Sequence, residues 1–241
     1  MNDFAYPGRE LDLFAEARNW KSYWALQVRP FLKGDILEVG AGLGSNTPFL
    51  DRDGAGRWVC LEPDARLADR LATRLQQATR AQEYEAICGT LRSVAGQQFD
   101  TILYIDVLEH IENDADELKI AASCLRPAGH LVVLSPAHQR LFSPFDKAIG
   151  HFRRYDRSTL QGLTPPGLQL ERLRYLDSAG LIASVANLVL LRQSTPSRGQ
   201  LSVWDRWMVP VSRVLDRLLA YSVGKSIVAV WQKRPAGDRR A

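Results

Sequence analysis

Glycines at positions 40, 42 and 44 stand in the run Leu37-Glu38-Val39-Gly40-Ala41-Gly42-Leu43-Gly44-Ser45, directly after a short apolar stretch. Backbone without Cβ atoms lets a ligand lie against it, and a helix opening there offers free N–H groups. The spacing is Gly-x-Gly-x-Gly rather than the Gly-x-Gly-x-x-Gly of dinucleotide sites, which disfavours a dinucleotide-dependent oxidoreductase. A bare glycine turn is also an ordinary strand–helix junction. Glu62, followed by Pro63, ends the next apolar run, Arg57 to Leu61, where a carboxylate is placed to accept bonds from two ribose hydroxyls. Loop and Glu62 together point to an adenosine-bearing ligand.

A second group of chemically able residues lies between Ser135 and Arg157. It reads Ser135-Pro136-Ala137-His138-Gln139, then Phe145-Asp146, then Gly150-His151-Phe152-Arg153-Arg154-Tyr155-Asp156. His138 and His151 are the candidate bases, since an imidazole with pKa near 6.5 can take a hydroxyl proton. The competing reading has His151 and Arg154 pinning the loop through Asp146 or Asp156. Arg153 and Arg154, with Tyr155 beside them, are candidates to hold a phosphate or carboxylate on a substrate.

Strands and helices must alternate to position these residues. Leu11 to Val28 has helical spacing and stops at Arg29-Pro30. Strands are expected at Asp35–Gly40, Arg57–Leu61, Tyr84–Cys88, Phe99–Ile105, His130–Leu134, Leu168–Leu176 and Ser226–Gln232. Helices are expected from Asn46, over Ala65–Thr79 and over Asp114–Leu125, with Ser178–Tyr221 mostly helical. Such alternation means an α/β fold with a mostly parallel sheet. The long Ser135–Arg157 connection is expected to be a functional loop.

Four stretches in this order resemble the motifs of class I S-adenosylmethionine-dependent methyltransferases. They are Leu37 to Gly44, Glu62, the run Phe99-Asp100 with Ile102 to Ile111, and Leu125-Arg126-Pro127-Ala128-Gly129-His130-Leu131. The resemblance covers roughly residues 35–136 and is nearest, in Asp106-Val107-Leu108-Glu109-His110, to the small-molecule branch that includes ubiquinone-pathway O-methyltransferases. The acceptor loop more loosely resembles bacterial envelope and specialised-metabolite methyltransferases. The family implies a Rossmann-like seven-stranded sheet with an antiparallel last strand and S-adenosyl-L-methionine as cofactor. It implies methyl transfer to a small or lipid-like acceptor, at oxygen.

On that reading the cofactor contacts are Glu38, Gly40, Ala41, Gly42, Gly44, Glu62, Pro63, Asp106, Val107 and Trp20. Glu38 and Asp106 suit a cofactor with a positive sulfur and a charged amine, although Asp106 also suits a helix N-cap. Many members carry an acidic residue after strand three, where this chain has Gly89-Thr90-Leu91. Thr90 or the Leu91 backbone is expected to substitute. Trp20 and Trp24, four apart on one face, either fold over the cofactor or bury their helix. Asp106, Glu109 and His110 also resemble the metal-binding E-x-x-E-H of small-RNA 2′-O-methyltransferases. A divalent ion there would polarise an acceptor hydroxyl, which keeps a metal-assisted O-methyltransferase as an alternative; no following histidine matches that family's pattern, and no metal is expected.

The expected organisation is one domain over 1–241. It has an N-terminal helical lid at 1–30, a cofactor half at 31–136, an acceptor loop at 137–167 and a helical insertion at 178–225. In the insertion, Trp204, Trp207, Met208, Val211, Leu215, Leu218 and Leu219 recur at helical spacing, with Arg206, Arg213 and Arg217 largely opposite and Pro210 expected to kink the run. A basic, Trp-rich amphipathic helix suits a membrane interface or the wall of an apolar pocket; ordinary packing on the sheet edge also explains it.

Composition bounds the rest. The chain has 241 residues, 46% hydrophobic and 24% charged, with 31 Lys and Arg against 27 acids and a net charge of +4. This is globular composition, and its mild basicity asks for no nucleic acid. Cys60, Cys88 and Cys124 show no ligand spacing and read as reduced core residues. Met1–Arg9 lacks a signal-peptide apolar region, and Ala179–Leu191 is shorter than the ~20 residues needed to span a bilayer. A cytoplasmic protein is expected, with peripheral membrane contact the outer limit. The rival class is a cofactor-binding regulatory module without turnover. The residues fix neither the oligomeric state nor the acceptor.

Overall fold

The structure is a computed structural model that describes residues 6, 10–50, 56–78, 81–186 and 197–235. Most of the Met1–Arg9 segment, the end of the apolar stretch at 187–191 and the tail at 236–241 lie outside the described residues.

Seven strands form one sheet in the order β3-β2-β1-β4-β5-β7-β6. They are β1 Ile36–Val39, β2 Trp58–Glu62, β3 Tyr84–Cys88, β4 Phe99–Ile105, β5 Leu125–Pro136, β6 Leu168–Leu176 and β7 Ser226–Lys233. The first five run parallel, and β7 lies antiparallel between β5 and β6. The mostly parallel sheet with an antiparallel last strand is therefore present. β5 is longer than expected and is drawn through the Pro127–Gly129 turn, with a register shift between Phe99 and Thr101.

Helices cover both faces, so alternate residues of each strand enter different cores. Leu37, Leu61, Ile102, Tyr104, Leu131 and Ala229 pack under α5 (Asp114–Ser123) and α7 (Arg157–Gly162). Ile36, Cys60, Leu103, Ile105, Val132 and Val228 share the other core with α2 (Arg18–Val28) and α4 (Ala65–Gln76). Residues of the helical insertion join this second core. Cys60 and Cys124 are buried, whereas Cys88 is exposed because β3 is an edge strand.

The expected helix at Leu11–Val28 is two helices, α1 (Glu10–Phe14) and α2. The start of α2 is capped from far away in sequence. The Asp205 carboxylate accepts from the backbone N–H groups of Asn19 (3.2 Å) and Trp20 (2.8 Å). A negative group at a helix start satisfies orphan donors and opposes the macrodipole. The short α3 is Thr47–Leu50, after the glycine loop. The long connection after β5 is not structureless. Ala137 bridges to Tyr155, and α6 (Pro144–Ala148) starts on a Ser143 cap reciprocated by Asp146.

The insertion between β6 and β7 contains α8 (Ser178–Ala186), α9 (Arg198–Val203), a π-helical turn at Trp204–Met208, and α10 (Val209–Leu218). Pro210 has no N–H to continue an α ladder. The wide π turn stands directly ahead of it, where a kink was expected.

Two buried carboxylates tie the insertion to the sheet. Asp216 accepts from the Tyr23 hydroxyl (2.6 Å), Asp177 N (2.7 Å) and Ser178 N (2.9 Å). Asp177 accepts from Trp204 Nε1 (2.7 Å), the Ser212 hydroxyl (2.7 Å) and Gly180 N (3.0 Å).

Candidate active site

The strand order reverses at β1 and β4, and ligands of open α/β sheets bind in the crevice beyond such a point. The glycine loop leaves β1 there, and Asp106 follows β4. Gly40, Gly42 and Gly44 all have positive φ, at 67°, 56° and 65°. A Cβ on Gly40 would lie 2.7 Å from Val107 Cγ2, so Val107 packs directly over the loop. Glu62 fixes the turn: its Oε2 accepts from Gly42 N and its Oε1 from Asp64 N, both at 2.9 Å. Burial raises the Glu62 carboxyl above its usual pKa. Asp64 caps α4 and accepts from Tyr6 N at 2.8 Å, and Leu11 of α1 lies over Gly42. Glu62 and Pro63 themselves do not line the cavity that opens from this loop.

Glu38 lies under the loop. It accepts from Thr47 Oγ1 (2.9 Å) and Trp58 Nε1 (3.2 Å), while its Oε1 has no hydrogen-bond partner among the described residues. Burial lifts its pKa to about 7. Beside the loop, the buried Lys21 donates to Ser45 Oγ at 2.6 Å, and burial lowers it to about 8.

A cavity of about 1020 Å³ opens from this loop. Gly40, Ala41, Gly42 and Lys21 form one side, and Trp20, Trp24, Leu201, Trp204 and Met208 form an apolar wall. Its floor carries Asp106, Glu109, His110, Asp146, His151, Arg154 and Lys225. Pockets for small molecules reach roughly 1,000 Å³, so there is room for a cofactor and a second molecule side by side.

The floor is densely ionisable. Asp106 does not cap a helix; it has φ 54°, and its exposed side chain lines the cavity. Desolvation raises its pKa to about 6, against the pull of His151, Lys225 and Lys21. Glu109 is fully buried; its Oε2 accepts from the Ser135 hydroxyl (3.0 Å) and its Oε1 has no hydrogen-bond partner among the described residues. Burial pushes Glu109 up and takes His110 down to about 3, with His151 adding to the latter.

Asp146 binds His151 Nδ1 at 3.0 Å and takes a bidentate pair from Arg154, both bonds at 2.9 Å. Burial pushes the Asp146 carboxyl up, but these bonds outweigh it and hold it well below the usual range. Burial likewise lowers Lys225, whose Nζ stands 4.8 Å over the Trp204 ring.

Of the residues singled out in the sequence, Trp20, Gly40, Ala41, Gly42, Asp106, His151 and Arg154 meet at this cavity. His138 does not line it; its Nε2 bonds the Gly224 carbonyl at 2.9 Å and its ring stacks on Tyr175. Arg153 and Tyr155 both bind Asp114, at 2.7 and 2.8 Å, away from the cavity wall. Thr90 caps the turn Leu91–Val94 through Ser93, and Leu91 is fully buried. Gly44 packs against Leu71 instead.

Sequence reasoning missed Lys21 and Lys225. A lysine inside the apolar face of α2, between Trp20 and Trp24, was a readable signal. Lys225 carried none, because only the pairing of β7 with β5 brings it to the floor.

A family model described as a methyltransferase domain matches residues 12–175. The chain is 31% identical over 111 residues to a ubiquinone biosynthesis O-methyltransferase of Parvibaculum lavamentivorans, covering 45% of this chain and 43% of that one. It is 29% identical over 135 residues to a demethylmenaquinone methyltransferase of Tropheryma whipplei, covering 55% and 54%. The chain thus spans about half the length of the curated relatives it matches. In fold it resembles coclaurine N-methyltransferase, solved with N-methylheliamine and SAH, with TM-score 0.61 and 11% identity over 90% of this chain and 72% of that one. The motifs at Gly40–Gly44 and Asp106, the sheet order and the matched residues agree: the chain belongs to the methyltransferase-domain family, with S-adenosylmethionine as its cofactor.

Proposed function

We propose that the chain transfers the methyl group of S-adenosylmethionine to a hydroxyl of a small, largely apolar acceptor. The observation carrying this is the single cavity in which the glycine loop, an apolar wall of Trp20, Trp24, Leu201, Trp204 and Met208, and the ionisable floor face one another. The wall supplies apolar contact and the loop supplies the donor. The floor assists loss of the hydroxyl proton, with His151 central to it because Asp146 holds its ring. A relative named as an O-methyltransferase supports oxygen as the receiving atom. The experiment is a methyl-transfer assay over hydroxyl, amine and carbon acceptors of matched apolar size. We expect methylation of the hydroxyl compounds, and a His151→Ala chain that turns over ~10²–10⁴-fold more slowly with unchanged S-adenosylhomocysteine affinity. Methylation confined to amines, or full turnover in His151→Ala, overturns the reading.

The acceptor is amphiphilic and reaches the cavity from an anionic bilayer surface. Ile182, Val203, Trp207, Val214 and Leu218 are each more than half exposed, at 68%, 56%, 66%, 60% and 76%. Val203 also lines the cavity, so exposed apolar surface reaches its rim. Arg206 and Arg217 lie exposed on the same helices, and basic groups near anionic lipid contribute about 1 kcal/mol each. Among the described residues no helix is long and apolar enough to cross a membrane. Co-sedimentation with anionic vesicles is expected, weaker with neutral ones and lost in Trp207→Glu/Leu218→Glu. Equal partitioning of native and doubly substituted chains would remove the stripe from binding.

A further inference from the structure

Glu109, His110 and His151 each offer one donor atom, and these atoms all lie within 4.8 Å of one another. Glu109 Oε1, fully buried and without a hydrogen-bond partner among the described residues, faces His151 Nε2 at 3.9 Å. A buried carboxylate oxygen left without a donor is costly, and a cation is one of the few things that satisfies it.

Two of the three side chains are also held from behind. Asp146 engages His151 Nδ1, which turns Nε2 towards Glu109. The Gly150 backbone, next to His151, lies beside the His110 ring and favours its protonated form. Glu109 spends its other oxygen on the Ser135 hydroxyl. Imidazoles anchored through the far nitrogen to a carboxylate or carbonyl are the usual outer arrangement of a metal site, because it fixes both tautomer and ring orientation.

We propose that Glu109, His110 and His151 bind a divalent transition-metal cation at the floor of the cavity. Two imidazole nitrogens and one carboxylate oxygen suit zinc, manganese, iron(II) or cobalt, and not magnesium or calcium, which take oxygen ligands. Metal–ligand bonds of 2.0–2.2 Å put tetrahedral donors roughly 3.4 Å apart, so the three atoms close on an ion with about an ångström of movement. All three residues line the cavity, so the remaining coordination positions open towards it.

The role of the ion rests on the methyl-transfer reading. The acceptor hydroxyl oxygen takes an open position, where the cation lowers its pKa, and its proton passes to the Asp106 carboxylate. The oxygen lone pair then forms the O–CH₃ bond as the C–S pair returns to sulfur, which leaves neutral S-adenosylhomocysteine and the methyl ether. His151 then assists deprotonation as a ligand.

The test is cobalt titration of the full chain after chelator treatment and dialysis, followed by its visible d–d absorption. One ion per chain is expected, displaced by zinc but not by magnesium or calcium. Glu109→Gln, which keeps an oxygen for Ser135, and His110→Gln should each weaken binding by at least about 100-fold. Asp146→Asn, behind His151, should weaken it by about 10–100-fold, and His138→Gln should leave it unchanged. No d–d spectrum in the native chain, or unchanged affinity in Glu109→Gln and His110→Gln, overturns the site. Full methyl transfer by the chelated chain overturns the role of the ion and leaves the methyl-transfer reading standing. Stoichiometric cobalt binding with no transfer to any acceptor upholds the site and overturns that reading.

Discussion

A Glu62→Ala chain is expected to bind S-adenosylhomocysteine about 10²–10⁴-fold more weakly than the native chain. Hydrogen bonds to a charged group are worth ~1.5–3 kcal/mol each, and two ribose hydroxyls give ~3–6 kcal/mol, with 1.4 kcal/mol per factor of ten. Glu62 also holds the glycine turn through Gly42 N, so part of any loss could come from a relaxed loop. A cofactor analogue lacking both ribose hydroxyls separates the two. If the carboxylate binds ribose, the native chain holds this analogue weakly and Glu62→Ala costs it little more. An equal loss for both ligands would assign the effect to the loop, and unchanged affinity by calorimetry would take Glu62 out of the site. Leu11 lies over Gly42, and Tyr6 N bonds the neighbouring Asp64, so the N-terminal segment stands beside the turn that Glu62 holds.

Asp216→Ala should cost about 4 kcal/mol of stability in urea unfolding. The carboxylate is fully buried and receives the Tyr23 hydroxyl and two backbone N–H groups. Alanine removes these bonds and strands three buried donors at ~1–3 kcal/mol apiece, partly relieved by relaxation. Against a typical total of 5–15 kcal/mol, that is a large share. Asp216→Asn offers one acceptor oxygen instead of two and should lose roughly half as much. Tyr23→Phe should lose less again, since it removes one donor together with its bond. A loss below 1 kcal/mol in Asp216→Ala would mean that the insertion is held by its apolar contacts alone.

The sheet was legible because its strands are buried on both faces and read as apolar runs between turns. β3, β4 and β6 were placed residue for residue. The glycine loop was legible because positive φ at three alternate positions leaves little choice but glycine. What stayed hidden was whatever depends on distant partners. The break between α1 and α2 is invisible to apolar periodicity, since its cap is Asp205 from the far end of the chain. His151 stands beside Glu109 and His110 only because the connection after β5 folds back through α6. That fold-back is pinned on Asp146 by His151 and Arg154, a pairing the sequence offered with Asp146 or Asp156 as the partner. His138 failed as a candidate for a local reason: it has φ 65°, a left-handed backbone, and its ring is turned onto Tyr175.

The position of β7 between β5 and β6 has an evolutionary consequence. β6 and β7 are antiparallel neighbours, so whatever joins them leaves from and returns to the same end of the sheet. Their join carries no burden of handedness or crossover, unlike the links among the parallel strands. Lengthening such a join costs only about 0.6 kcal/mol per doubling. The wall built by Leu201, Trp204 and Met208 therefore hangs on the most replaceable connection in the molecule, while the glycine loop proposed to hold the methyl donor sits in one of the least replaceable. Lineages built on this plan can exchange one acceptor for another by rewriting a hairpin, and leave the register of every strand untouched.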